Sequence, residues 1–185
     1  MKKKNNFTKK DLPKIITLNN FEDDRGKLSK IYSKDKFEKY LKNFKIKQIN
    51  FVTVKKKGTI KGIHFQKQPF LEIKLVYLIK GKIFDAVVDV RKNSKDFLIP
   101  KTYILNSTDK SCLLIPKGYG HSFQTLTDNC EILYCHSEIY KPQKEISLNP
   151  FDPSINIRWP LKLSRISSKD KKTKFISSNF KGILI

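Results

Sequence analysis

Apolar and polar residues alternate with a period of two over most of this chain. Residues 46–54, 59–66, 71–79, 82–90, 101–105, 112–115 and 131–140 all read as strands, bounded by Gly, Asn-Ser, Ser-Thr-Asp or Pro signals. Gly81, between two long runs, predicts a tight hairpin. Two shorter β-prone runs, 14–18 and 28–32, flank a polar turn over 21–26 with Arg25 at its tip. One stretch departs from the pattern. Phe37, Tyr40, Leu41 and Phe44 fall at i, i+3, i+4 and i+7, which predicts a helix over 33–44 with Ser33 as its cap. Residues 1–12 are polar and basic and read as a loose arm, and the tail carries Trp159-Pro160 and then Ser167-Ser-Lys-Asp170. So many short strands predict an all-β sandwich or jelly roll rather than a βαβ fold. No repeat or linker divides the chain, so a single domain over 1–185 is expected.

Composition narrows the partners. With 38% apolar residues, thirteen Phe and seven Tyr, the chain can build a real core. Its net charge of +22 comes from 39 Lys and Arg against 17 Asp and Glu. Those cations are spread along the chain, with short clusters at 2–4, 55–57 and 169–174, so they read as a solvated surface that steers anions. Nucleic acid is not the expected partner. Three cysteines, an odd count with no paired spacing, read as reduced thiols, and the basic start leads into no apolar segment. No run approaches the roughly 20 apolar residues that span a bilayer. A cytoplasmic protein with no membrane partner is expected.

Candidate chemistry centres on residues 58–66, Gly-Thr-Ile-Lys-Gly-Ile-His-Phe-Gln, which hold one of only three histidines. On a strand, Ile63 and Phe65 point to one face while His64 and Gln66 point to the other. An imidazole fixed on a strand beside open space suits proton abstraction near neutral pH. A second histidine lies in Pro116-Lys-Gly-Tyr-Gly-His121, which resembles half of the cupin signature. A metal-binding cupin carries His-x-His in its first half, and here Gln66 takes the second position. Glu72 is near, but two His and one Glu make a poor ligand set, and no metal is expected. His136 shares a strand face with Tyr134 and reads as a lone histidine at a buried edge.

Taken together, the ordered motifs resemble the dTDP-4-dehydrorhamnose 3,5-epimerase family. Its Gly-Leu-His-Phe-Gln is similar to residues 62–66, its Gly-Lys-Leu-Val strand to 73–76, and its Phe-Asp-x-x-Val-Asp-x-Arg run to 84–91. Its Ile-Pro-x-Gly-x-x-His-x-Phe is similar to 115–123, its Leu-Tyr strand and Tyr-x-Pro to 133–134 and 140–142, and its Trp-Pro and Leu-Ser-x-x-Asp to 159–160 and 166–170. The resemblance implies a cupin-type jelly roll and a cofactor-independent isomerase. Such an enzyme acts at C3 and C5 of a nucleotide-diphospho-4-keto-6-deoxy sugar, the dTDP-linked sugar being expected. Epimerisation beside a ketone needs a base, an acid on the opposite face and a cation at the enolate oxygen. By resemblance His64 is the base, Asp170 fixes its tautomer, Tyr134 is the acid and Lys74 stabilises the enolate. In isolation Lys74 reads as a surface lysine, Tyr134 as a core tyrosine and Asp170 as a turn or cap residue.

The same resemblance assigns substrate contacts to Arg25, Gln48, Asn50, Lys61, His121 and Tyr140. Leu28 and Lys30 stand where the family has a stacking aromatic and an acid for the base, and Lys61 stands where it has an arginine for the diphosphate. Family members are dimers whose N-terminal segment reaches the partner's pocket, so a homodimer with Arg25 serving the partner is implied. The alternatives are a single-carbon epimerase or 3,4-ketoisomerase on the same substrate class, or a non-catalytic sugar-nucleotide-binding cupin.

Overall fold

The computed structural model describes residues 11–38, 40–41 and 44–185. The basic arm expected over 1–12 therefore lies almost wholly outside the described residues. Two five-stranded antiparallel sheets form the body. The first runs β1 (Lys14–Thr17), β9 (Ser111–Ile115), β6 (Lys74–Lys80), β11 (Cys130–His136), β4 (Gln48–Val54) in spatial order. The second runs β12 (Glu145–Ser147), β5 (Ile60–Gln66), β10 (Tyr119–Thr125), β7 (Lys82–Asp89), β8 (Pro100–Asn106). A separate hairpin joins β2 (Asn19–Asp23) to β3 (Gly26–Lys30). This is a cupin-type jelly roll.

Three apolar layers hold it. Between the sheets lie Val76, Ile83, Val87, Leu113, Ile115, Phe123 and Ile132, all buried. Over the outer face of the first sheet, Phe37, Leu41 and Phe44 pack on Leu75, Tyr77 and Leu114. Against Ile63, Phe65 and Val88 of the second sheet lie Leu148, Ile155 and Ile183 from the C-terminal segment. That segment, expected only as a tail, is half of the cover, because the apolar backs of β5 and β7 would otherwise face water.

The expected helix over 33–44 is short: α1 covers Lys34–Glu38, and Leu41 N–H still bonds the Phe37 carbonyl. Its aromatic residues are weak helix formers that contribute through packing on the sheet rather than through helix length. The expected tight hairpin at Gly81 does not form. β6 pairs with β9 and β11 while β7 pairs with β8 and β10, so Gly81, at φ 89°, carries the chain from one sheet to the other. β10 escaped notice as a strand because all seven of its residues are buried, so it shows no alternation. Among the described residues no helix is long and apolar enough to cross a membrane.

Candidate active site

β5 places His64 on the inner face, opposite Ile63 and Phe65 as its alternation requires, with 31% of its side chain exposed. Its Nε2 lies 2.6 Å from Oδ1 of Asp170. Asp170 sits on α2 (Ser168–Lys172), capped by Ser167, whose hydroxyl accepts from Asp170 N–H at 3.0 Å. The other carboxylate oxygen accepts from Gly62 N–H at 3.4 Å. Burial would raise the Asp170 carboxyl, but the bond and charge of His64, with Ser167 and Gly62, outweigh it and hold the group below its ordinary value. Gly62 is needed where it stands: with φ 103°, a Cβ there would collide with the His121 carbonyl.

A second carboxylate flanks the same ring. Glu145 of β12 brings Oε1 within 3.5 Å of His64 Nδ1, while its Oε2 accepts from the Tyr140 hydroxyl at 2.7 Å and from Lys169. The bond to Glu145 is the first cause, ahead of burial and the charge of Glu145, that pushes the Tyr140 phenol up to about 12.

Across the ladder His121 is the register partner of His64. Its Nε2 lies 2.8 Å from Oδ2 of Asp85, which is fully buried. Tyr134, from β11 of the opposite sheet, stands edge-on to the His121 ring with centroids 5.8 Å apart. Burial, then the charge of Asp85, pushes the Tyr134 phenol well above its ordinary value, so it keeps its proton.

Lys74 is buried and lies 3.2 Å from Oε1 of Glu72. From there a chain of contacts runs along the inner face of the first sheet. Glu72 Oε2 is 2.7 Å from His136 Nδ1, and His136 Nε2 is 3.3 Å from Asn50 Nδ2. Gln48 Nε2 donates to Asn50 Oδ1 at 2.9 Å, and Tyr140 N–H donates to Gln48 Oε1 at 2.9 Å. His136, expected to stand alone, is thus a link between Glu72 and Asn50. Burial opposes ionisation of Glu72, but Lys74 and His136 prevail and lower it.

A cavity of about 600 Å³ opens beside His64 and Asp170, with Lys61, Lys56 and Arg165 among its walls. Arg25 does not line it. It tips the β2–β3 hairpin, 85% exposed in its side chain, 2.6 Å from Asp23. Among the described residues no cluster of three or more His, Cys, Asp or Glu is arranged to hold a metal ion.

The sequence therefore named the histidines, Asp170, Tyr134 and Lys74, and missed the carboxylates Glu145 and Asp85. Glu72 was weighed there only as a metal ligand. Its signal was the expected strand over 71–79, in which a residue two before Lys74 shares that lysine's face. β6 itself begins at Lys74, and Glu72 reaches the lysine from the segment just before it. Glu145 carried no such signal, because its partner His64 is distant in sequence.

Of the sequence-named catalytic residues, His64 and Asp170 line the cavity of about 600 Å³, while Tyr134 and Lys74 stand on the opposite sheet outside its walls. A held imidazole, a phenol that keeps its proton and a buried ammonium on the two sheets of a jelly roll are the equipment of a cupin-fold isomerase that moves protons on carbon. Residues 10–178 match the family profile described as dTDP-4-dehydrorhamnose 3,5-epimerase, and the chain belongs to that family. A dTDP-4-dehydrorhamnose 3,5-epimerase of Shigella flexneri is 30% identical over 182 residues, covering 95% of this chain and 98% of the relative. A dTDP-4-dehydrorhamnose 3-epimerase of Streptomyces niveus is 29% identical and covers 84% of this chain and 75% of its own. Among solved structures, a 3,5-epimerase of Legionella pneumophila in complex with dTDP-4-keto-L-rhamnose superposes with TM-score 0.86 at 30% identity, covering 94% of both chains.

Proposed function

We propose that this protein inverts C3 and C5 of a dTDP-linked 4-keto-6-deoxy sugar, dTDP-4-dehydro-6-deoxy-glucose being the substrate. His64 removes the proton beside the ketone. Asp170 holds Nε2 and stabilises the imidazolium that forms. The Lys74 ammonium, fixed by Glu72, meets the negative charge that develops on the C4 oxygen. Tyr134 returns a proton from the opposite face. Gln48, Asn50, His121 and Tyr140 contact the sugar, and Lys61 holds the diphosphate.

The observation that carries this reading is the 2.6 Å contact of His64 with a buried carboxylate, on the sheet opposite a phenol that holds its proton. The test is deuterium wash-in at C3 and C5 of the 4-keto sugar nucleotide in heavy water. It is expected in the wild type and absent in His64→Ala; no wash-in on any such sugar overturns the reading. The Streptomyces niveus relative favours a second reading, inversion at C3 alone, which predicts wash-in at C3 only.

A homodimer in the cytoplasm completes the proposal. Phe21 and Leu28 form an exposed cross-strand pair beside Arg25, 58% and 62% exposed. In the partner's site Arg25 meets the nucleotide, and Phe21 supplies the aromatic face that Leu28 lacks.

A further inference from the structure

His64 is flanked by carboxylates on both ring nitrogens, and they stand at different distances. Nε2 is taken by Asp170 at 2.6 Å, so Nδ1 is the nitrogen left to accept a proton from carbon. Glu145 Oε1 stops 3.5 Å from Nδ1, beyond the ordinary N–H···O range but well within Coulombic reach. A carboxylate in full hydrogen bond with Nδ1 would obstruct the substrate; one much farther off would do nothing for the charge.

The stand-off is built. Glu145 pairs with Gln66 and Ser147 with His64, so the β12 register turns Glu145 toward the same inner face. Both tethers, the Tyr140 hydroxyl and the Lys169 ammonium, grip Oε2 and leave Oε1 aimed at the imidazole. The carboxyl is 9% exposed, and although burial opposes its ionisation, Lys169, Tyr140 and His64 together lower it.

We propose that Glu145 is a positioning residue that acts through His64: an ionised second carboxylate that stabilises the proton on Nδ1, kept clear of that nitrogen by Tyr140 and Lys169. The proposal rests on His64 being the base. The charges around His64 explain the need. Asp170 faces it from α2 and Glu145 from β12, while Lys61, Lys55, Lys56 and Arg165 surround the same cavity and His121 stands across the ladder. Those four cations are exposed to water, whereas the two carboxylates are the charges that lie within Coulombic reach of the ring's two nitrogens.

The test is an NMR titration of the His64 imidazole without substrate, assigned by its loss in His64→Asn, alongside pH profiles of kcat/KM. In Glu145→Gln the His64 midpoint is expected below that of wild type. The acid limb of kcat/KM should move with it, and kcat should fall about tenfold while KM changes little. Glu145→Asp should recover part of the shift. Lys169→Met should move the midpoint upward, because Glu145 loses a neutralising partner; this variant decides the matter if Glu145→Gln does not fold. An unchanged His64 midpoint in either folded variant overturns the proposal. A shifted midpoint in a protein that exchanges no proton on any 4-keto sugar nucleotide would instead overturn the proposed function and leave the Glu145 contact standing.

Discussion

His64 and His121 are register partners across the β5–β10 ladder, and each is held by its own buried aspartate, at 2.6 Å to Asp170 and 2.8 Å to Asp85. The two differ in access. His64 is 31% exposed at the cavity, whereas His121 is 7% exposed and wedged between Asp85 and Tyr134. The exposed member is the one free to exchange protons with a substrate, and the more enclosed one packs edge-on against the Tyr134 ring. Asp170→Asn therefore keeps the geometry but loses the charge that stabilises the imidazolium. A loss in kcat of about 10³–10⁴ is expected, with KM changed far less, measured by steady-state epimerisation.

Removing the phenol separates the two halves of the reaction. In Tyr134→Phe the base still takes a proton, but the acid on the far face is gone. Net inversion should fall by roughly 10²–10⁴, while wash-in with retained configuration persists. NMR of the recovered sugar distinguishes the two, and equal loss of both would refute the assignment of Tyr134 as the acid.

The Asp170 carboxyl also links stability to pH. Its folded pKa is depressed from 3.8, so its contribution is fully present above the unfolded value and is lost as pH falls through the folded one. Between neutral pH and that acid window, wild type should lose more unfolding free energy than Asp170→Asn. Chemical denaturation at stepped pH measures this difference, and parallel curves would contradict it.

Glu72 holds the other half of the site. Glu72→Gln removes the charge facing buried Lys74 and weakens the His136 link, leaving an ammonium with poor compensation. A loss of about 1–3 kcal/mol in stability is expected, together with a marked drop in kcat. Glu72→Asp should restore stability better than activity, because the shorter side chain pulls Lys74 from its place.

Much of this was legible in the chain because strands declare their faces. Period-two alternation put His64 opposite Ile63 and Phe65, and the same parity placed Gln48 with Asn50 and Tyr134 with His136. What alternation could not give was partnership between distant strands. Glu145 meets His64 only because β12 pairs with the edge of β5, and Gly81 was misjudged because both neighbouring strands found other partners. α2 was illegible for another reason. Five residues, Ser168–Lys172, are too few to show a helical period, and their stability comes from the Ser167 cap and the Asp170 contact with His64.

The exposed hairpin supplies the last prediction. Arg25 and Phe21 stand exposed to water and away from the walls of the His64 cavity, and the proposed dimer would place them in a partner's site. Arg25→Ala and His64→Ala should each be nearly inactive alone. If Arg25 serves the partner, a heterodimer of the two variants carries one site with both defects and one site with neither. Co-refolding them in equal amounts should return about a quarter of wild-type activity. If Arg25 serves its own protomer, every site in the mixture keeps a defect and no activity returns.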